Sequence, residues 1–200
     1  MLGSDGTVTK DHREIEIKLR VEEDLAQMRH RLASAGFRVS KPRVFESNVV
    51  FDTPERKLRE ASQLLRLRRV GDECILTYKG LPTPGKHKSR EEIETRVSEE
   101  ANMELIFARL GFVPMFRYEK FRTEHQAPGQ DGVVTLDETP IGVYLEIEGS
   151  AEWIDRTAEL LGFSEQEYIT KSYGGLYLDY CREHGIAASN MIFPPEAGGV

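Results

Sequence analysis

The stretch Glu14-Ile15-Glu16-Ile17-Lys18-Leu19 alternates charged and apolar side chains without a break. Successive side chains of a strand point to opposite faces, so this run reads as a strand with one charged and one apolar face. The alternation returns at Arg66 and Arg68 around Leu67, at Arg90, Glu92 and Glu94, at Lys120 and Arg122 around Phe121, and at Glu146 and Glu148 around Ile147. One such strand reads as part of an ordinary sheet with its charged face in water. Five are harder to read that way, because a solvated face mixes Thr, Ser, Gln and Asn with its charges. The pattern predicts strands whose charged faces meet around a shared interior.

Composition bounds what that interior holds. Two hundred residues fit one domain, and 39% hydrophobic content supplies a real core. A formal net charge of -7 argues against general nucleic-acid binding, which needs basic surface to neutralise phosphates. Any anion site must be local. Met1 to His12 is polar and lacks signal-peptide character, and no stretch approaches the roughly 20 apolar residues of a membrane span. No membrane partner and a cytoplasmic location are expected. Cys74 and Cys181 lack metal-ligand spacing and are assigned no chemistry.

Three helices are legible, each ending in Gly-Phe: Asp24 to Ala35, Ser98 to Leu110 behind a capping serine, and Glu152 to Leu161. The extended segments Arg38 to Phe51 and Met115 to His125 follow the first two, and Tyr168 to Tyr177 follows the third as a strand or the start of a helix. One hairpin turns at Gly71-Asp72 and another between Pro128 and Gly132, which favours antiparallel pairing. About eight strands against three helices suggest a sheet or barrel with helices outside. Gly80 to Ser89 reads as a mobile Pro/Gly loop whose Lys86, His87 and Lys88 either reach a bound anion or stay solvated, and Gly185 to Val200 reads as a frayed tail.

Charged strands that face one another need opposite signs, water or a neutralising ligand. Arg66, Arg68, Lys79, Lys120 and Arg122 form a basic set, and Glu14, Glu16, Asp137, Glu146 and Glu148 an acidic one. Clustered carboxylates suit Mg2+ or Mn2+, which bind through a few carboxylates plus phosphate oxygens, while Arg and Lys grip phosphate directly. A triphosphate carries about four negative charges and a divalent ion offsets about two, which leaves enough for such a basic set. No Walker-type glycine loop is present, so side chains must provide the grip.

These residues resemble the CYTH family, the triphosphate tunnel metalloenzymes, which include class IV adenylate cyclases, thiamine triphosphatases and inorganic triphosphatases. The resemblance rests on E-x-E-x-K at Glu14 to Lys18, F-D-T-P at Phe51 to Pro54, L-L-R-L-R-R at Leu64 to Arg69 and Y-K-G at Tyr78 to Gly80. It continues with R-E-E-I-E-T at Arg90 to Thr95, E-K-F-R at Glu119 to Arg122, L-D-E-T at Leu136 to Thr139 and L-E-I-E at Leu145 to Glu148. It implies an α+β fold, an antiparallel eight-stranded β tunnel (barrel) with helices packed outside. That domain would span residues 13–182, between a flexible N-terminus (1–12) and a tail (183–200), and assemble as a homodimer.

The resemblance implies that Glu14, Glu16, Asp137, Glu146 and Glu148 hold one or two Mg2+ or Mn2+ ions. Lys18, Arg66, Arg68, Lys79, Lys120 and Arg122 would bind a triphosphate-bearing small molecule, joined by Arg90 and, on a weaker case, Lys171 and Tyr173. Arg90, Glu92 and Glu94 serve either as an ion-pair network that keeps the tunnel open or as direct contacts. Lys18 and Lys79 are the candidate catalytic lysines, because crowding by cations lowers a lysine pKa toward a general base and a metal-bound water is the alternative. Class IV cyclases carry His-Phe before the E-x-E-x-K motif, where this chain has Val8 and Thr9. The expected reaction is therefore hydrolysis of a terminal phosphate. Cyclisation of ATP and a non-catalytic polyphosphate or nucleotide sensor are the alternatives.

Overall fold

In the computed structural model, which describes residues 12–195, eight strands close into one barrel in the order β1-β5-β4-β3-β2-β6-β7-β8. They are β1 (Arg13–Val21), β2 (Arg38–Asp52), β3 (Leu64–Val70), β4 (Glu73–Lys79), β5 (Lys88–Val97), β6 (Val113–Gln126), β7 (Val133–Thr139) and β8 (Gly142–Glu148). All eight neighbouring pairs are antiparallel. Closure removes the exposed edges that a sheet of this size would otherwise present. The expected eight-stranded α+β tunnel is thus the observed fold.

The apolar faces of β1, β3, β7 and β8 point outward, under helices. Ile17, Leu19, Leu136, Leu145 and Ile147 are fully buried beneath α1 (Leu25–Ser34) and α4 (Ala151–Leu160), which contribute Met28, Leu32 and Ile154. A second cluster seats Phe107 of α3 (Glu100–Arg109) on Val49, Phe51 and Leu67. A short α2 (Lys57–Glu60) follows β2, held by Asp52, whose carboxylate accepts from the backbone N–H groups of Leu58 and Arg59 at 2.9 Å each. The Gly-Phe punctuation works as expected: Gly36, Gly111 and Gly162 take φ of 88, 86 and 80°, and each following Phe N–H bonds back into its helix.

Several expectations are corrected. The α3 cap is Glu99 without a side-chain bond, not Ser98. Among the described residues five α-helices form rather than three, since α2 is too short to show a period and α5 (Tyr173–Glu183) grows out of the segment that also read as a strand, capped by Ser172. The segment read as a frayed tail is anchored in part: Met191 is buried and bridges Tyr118, and the ring of Phe193 packs tilted against Phe121 at 5.3 Å. The Pro/Gly loop is pinned as well, because Lys86 meets Asp155 and Glu165 at 3.0 and 3.1 Å and His87 meets Asp155 at 2.7 Å. Lys88 has left that loop to begin β5. Most of the expected flexible N-terminus, with Val8 and Thr9, lies outside the described residues. Among the described residues no helix is long and apolar enough to cross a membrane.

Trp153 of α4 locks this helix to the hairpin that ends β6. Its indole N–H donates to Gln130 at 2.5 Å, and a Cβ built on Gly132 would lie 2.3 Å from the ring. Gly132→Ala is therefore expected to lower stability by about 1–3 kcal/mol through overpacking, measured by urea unfolding. A midpoint unchanged from wild type would show that the indole has room to move.

Candidate active site

Register decides which side chains line the tunnel. β1 sets Glu14 opposite Arg90 and Glu16 opposite Lys88 on β5, and on its other side Glu16 opposite Glu148 and Lys18 opposite Glu146 on β8. β4 sets Lys79 opposite Glu92 and Thr77 opposite Glu94. β6 sets Lys120 opposite Glu46 on β2 and Arg122 opposite Asp137 on β7. The result is a cavity of about 490 Å³ whose wall is almost wholly ionic, with Glu14, Glu16, Glu92, Glu94, Glu146 and Glu148 set among Arg66, Arg68, Lys79, Lys120 and Arg122. His12, Arg13, Lys41, Glu124 and Val133 surround its mouth. At the inner end α5 presses Tyr173 and Tyr177 against Tyr118 and Tyr144, all four buried, so the barrel is stopped there.

The ions are paired by sign. Glu14 holds Lys79 at 2.8 and 2.7 Å through both oxygens. Glu16 receives Lys18 at 3.2 Å and Lys88 at 2.8 Å on Oε1 alone. Glu146 takes Lys18 at 3.0 Å and Arg122. Asp137, wholly buried, accepts from Lys120 at 2.9 Å, from Arg122 at 2.7 and 2.6 Å, and from the Tyr173 hydroxyl at 2.7 Å. Breaking one such buried pair costs about 3–5 kcal/mol, because the partner is left as an unpaired charge.

These pairings tune the titration. Burial alone would raise the Glu16 carboxyl, but Lys18 and Lys88 outweigh it and hold Glu16 well below the usual carboxylate range. Burial would lower Lys18, yet Glu146 and Glu16 carry it above an ordinary lysine. Lys18 is thus a fixed cation here, and the neutral-lysine role expected of it is not seen in this arrangement. Lys88 moves the other way, to about 8, mainly through burial, while Glu16 opposes the shift. Glu148 is pushed up to about 7 by burial and by Glu14, although its surface opens to the mouth. Glu92 rises to about 8, because burial and the neighbouring Glu14 outweigh the ammonium of Lys79 that the two share.

The expected acidic and basic sets are brought together, with two differences of position. Lys171 stays outside, 61% exposed and tied to Asp179 of α5 at 2.5 Å. Arg90 stands behind Glu14, its Nε 3.7 Å from the carboxylate, while Glu94 receives Arg66 and Arg68 at 3.5 and 3.2 Å. Lys88, expected only as a loop charge, continues the two-residue spacing of Arg90, Glu92 and Glu94 but hides behind Pro82, Pro84 and Gly85, and Glu46, Asn48 and Tyr118 are not anticipated. Glu46 and Asn48 are buried on β2, where Ser47 between them blurs the apolar alternation. Tyr118, which accepts from Arg66 at 2.9 Å, carries no charge to mark it.

A CYTH domain model matches residues 12–173. The chain belongs to the CYTH family. This CYTH chain is 29% identical over 171 residues to a Methanocaldococcus jannaschii protein provisionally named an adenylate cyclase, covering 80% of this chain and 95% of the relative. A solved structure from Pyrococcus horikoshii matches with a TM-score of 0.67 at 25% identity, over 84% of this chain and 99% of that one. A Hippeastrum protein, provisionally named an adenylyl cyclase and described as having a dominant triphosphatase activity, matches at 18% identity with a TM-score of 0.60, over 88% and 97% of the two chains.

The raised carboxyls make this CYTH fold pH-sensitive in a defined direction. Folded Glu148 and Glu92 keep protons that an unfolded glutamate gives up near 4.5, so the contribution of these two groups to stability is fullest below that value and declines as pH rises toward 7 and 8. Glu148→Gln should match wild type near about pH 5 and melt higher by about 2–4 °C near about pH 9, after discounting for exposure. Thermal melts across this range check it, and a variant that melts lower at high pH would contradict the assignment.

Proposed function

We propose that this CYTH protein is a divalent-metal-dependent enzyme that hydrolyses the terminal phosphate of a small triphosphate. The observation that carries the reading is the direct cross-strand pairing of Glu16 with Glu148 beside a wall of Arg and Lys. Like charges directly opposite on neighbouring strands repel, and Glu148 makes no ion pair with any described residue. A hard cation relieves that repulsion, and the donor set of carboxylate oxygens suits Mg2+ or Mn2+. Among the described residues no three acidic, His or Cys side chains stand ready as a cage. That fits an ion which keeps waters and completes its shell with phosphate oxygens.

Glu16, with Oε1 given to its lysines, and Glu148 would hold the ion, which when bound neutralises and polarises phosphate oxygen. Arg66, Arg68, Lys79, Lys120 and Arg122 would grip the chain of phosphates. Arg66 is pre-aimed by Tyr118 and by Thr77 at 3.1 Å, and Arg122 by Asp137. Because α5 stops the inner end, the phosphate chain enters from the mouth and any attached group remains there. The aromatic rings lining the cavity are those of Tyr118 and Tyr173 at the inner end, apart from the imidazole of His12, and no broad platform for a nucleobase lines the mouth among the described residues. This favours hydrolysis over cyclisation, as does the triphosphatase activity of the Hippeastrum protein of the same fold.

Purified protein incubated with Mg2+ or Mn2+ and, in turn, tripolyphosphate, thiamine triphosphate and ATP should release orthophosphate. Pyrophosphate with cyclic AMP would instead make it a cyclase, as the name of the Methanocaldococcus jannaschii relative suggests, and tight binding without product a sensor. With the hydrolysed substrate, Arg66→Ala should raise KM about tenfold to a hundredfold with little change in metal requirement. Glu148→Gln should raise the metal concentration for half-maximal rate by about tenfold or more. Equal, metal-independent losses in both variants would refute this division of roles.

A further inference from the structure

The inner end of the tunnel contains an aromatic residue in an unusual setting. Tyr173, the first residue of α5, is 5% exposed, and its ring centroid lies 5.3 Å from Lys18 Nζ and 5.1 Å from Lys120 Nζ. Each ammonium also meets carboxylates: Lys18 meets Glu146 and Glu16 at 3.0 and 3.2 Å, and Lys120 meets Asp137 and Glu46 at 2.9 and 3.6 Å. The hydroxyl of the same tyrosine donates to Asp137, the carboxylate that aims Arg122. One side chain therefore touches three of the ionic residues at the closed end and, through Asp137, a fourth.

An aromatic face attracts a cation through its quadrupole, and does so more strongly when both are withdrawn from water. It offers this attraction without the negative charge that would compete with a phosphate for the lysines. A carboxylate in its place would add a further negative charge to the pairs that Lys18 and Lys120 already make. An aliphatic residue would leave the spacing of the two ammonium groups to those carboxylates alone. We propose that Tyr173 is a positioning residue of the tunnel, its ring spacing Lys18 and Lys120 and its hydroxyl fixing Asp137, so that Lys120 and Arg122, which line the cavity, stand ready for a phosphate chain. The proposal deepens the reading of the tunnel as a triphosphate site and rests on it. It also gives α5 a role besides covering apolar surface, since the helix delivers this residue to the tunnel.

Tyr177, one turn further along α5, supplies the control. It is buried in the same aromatic cluster, against Phe116 at 5.8 Å, but no lysine or arginine stands over its ring among the described residues. Calorimetric titration of the full chain with inorganic tripolyphosphate, without divalent ion so that turnover is suppressed, reads the clamp alone. Tyr173→Leu should weaken binding about tenfold or more, and Tyr173→Phe, which keeps the ring but releases Asp137, by a smaller factor of about threefold. Tyr177→Leu should lower the melting temperature as Tyr173→Leu does, yet bind with wild-type affinity. In the ligand-free protein the Hε resonances of Lys18 and Lys120 should be displaced by the ring current in wild type and in Tyr173→Phe, and return to ordinary lysine positions in Tyr173→Leu. Wild-type affinity in Tyr173→Leu, or equal weakening in Tyr177→Leu, would overturn the proposal. If wild type itself fails to bind tripolyphosphate, the triphosphate reading falls, and the lysine resonances alone decide: no change in Tyr173→Leu then overturns the positioning role.

Discussion

Ionic side chains that face one another inside a closed barrel must find partners of opposite sign, and that constraint organises this protein. Each buried charge forgoes several kcal/mol of hydration, so the strands can close only in an order that sets acid against base. Glu14 beside Lys79, Glu146 beside Lys18 and Asp137 beside Lys120 and Arg122 are the contacts that satisfy it. The helices follow from the same alternation. Once every second residue of β1, β7 and β8 points inward with a charge or a polar group, Ile17, Leu136 and Ile147 must point out, and α1 and α4 keep them from water.

Sign matching fails at one seam of the barrel. Glu16 opposite Glu148 is a like-charge pair at the seam of β1 and β8, and a proton on Glu148 partly relieves it in the absence of a cation. Asp137 is the opposite case. Its carboxylate already serves Lys120, Arg122 and Tyr173, so binding an ion there would mean breaking bonds that orient the basic wall. The acids that sequence alone groups together therefore divide in space. Glu16 and Glu148 have capacity to spare, while Asp137 works through the cations it aims.

How much of this could be read from the chain depended on whether a residue's neighbours carried a period. The strands of Glu14, Arg66, Arg90, Lys120 and Glu146 announce both their faces, which fit a sheet as well as a barrel, and it is the family resemblance that points to closure. α1, α3 and α4 announce themselves through apolar spacing and Gly-Phe stops. Tyr173 and the helix it begins were ambiguous because Gly174 and Gly175 are poor helix formers in its first turn, and only the Ser172 cap and packing on Tyr118 and Tyr144 decide for a helix. Lys88 sat in a segment rich in proline and glycine, whose composition outweighed a correct two-residue spacing. Lys171 matched the family pattern yet lies outside the barrel, since its neighbour Ser172 caps α5 and leaves Lys171 beside Asp179.

The seam between β1 and β5 shows how the inner end depends on distant sequence. Pairing of these strands stops at Glu16 with Lys88, and the backbone of Lys18 turns instead to Ile169, with N–H to O distances of 2.9 Å in both directions. Ile169 lies four residues before Tyr173, so the bridge that fixes the backbone of Lys18 also sets where α5 begins. Asp155 adds a second tie, since it holds Lys86 and His87 immediately before Lys88, and Tyr168 immediately before Ile169. The two ammonium groups that share Glu16 are thus located by backbone segments joined through one aspartate on α4. Burial of Lys88 behind Glu16 follows from that tie: with His87 fastened outside the barrel, the alternation of β5 leaves the next side chain no direction but inward.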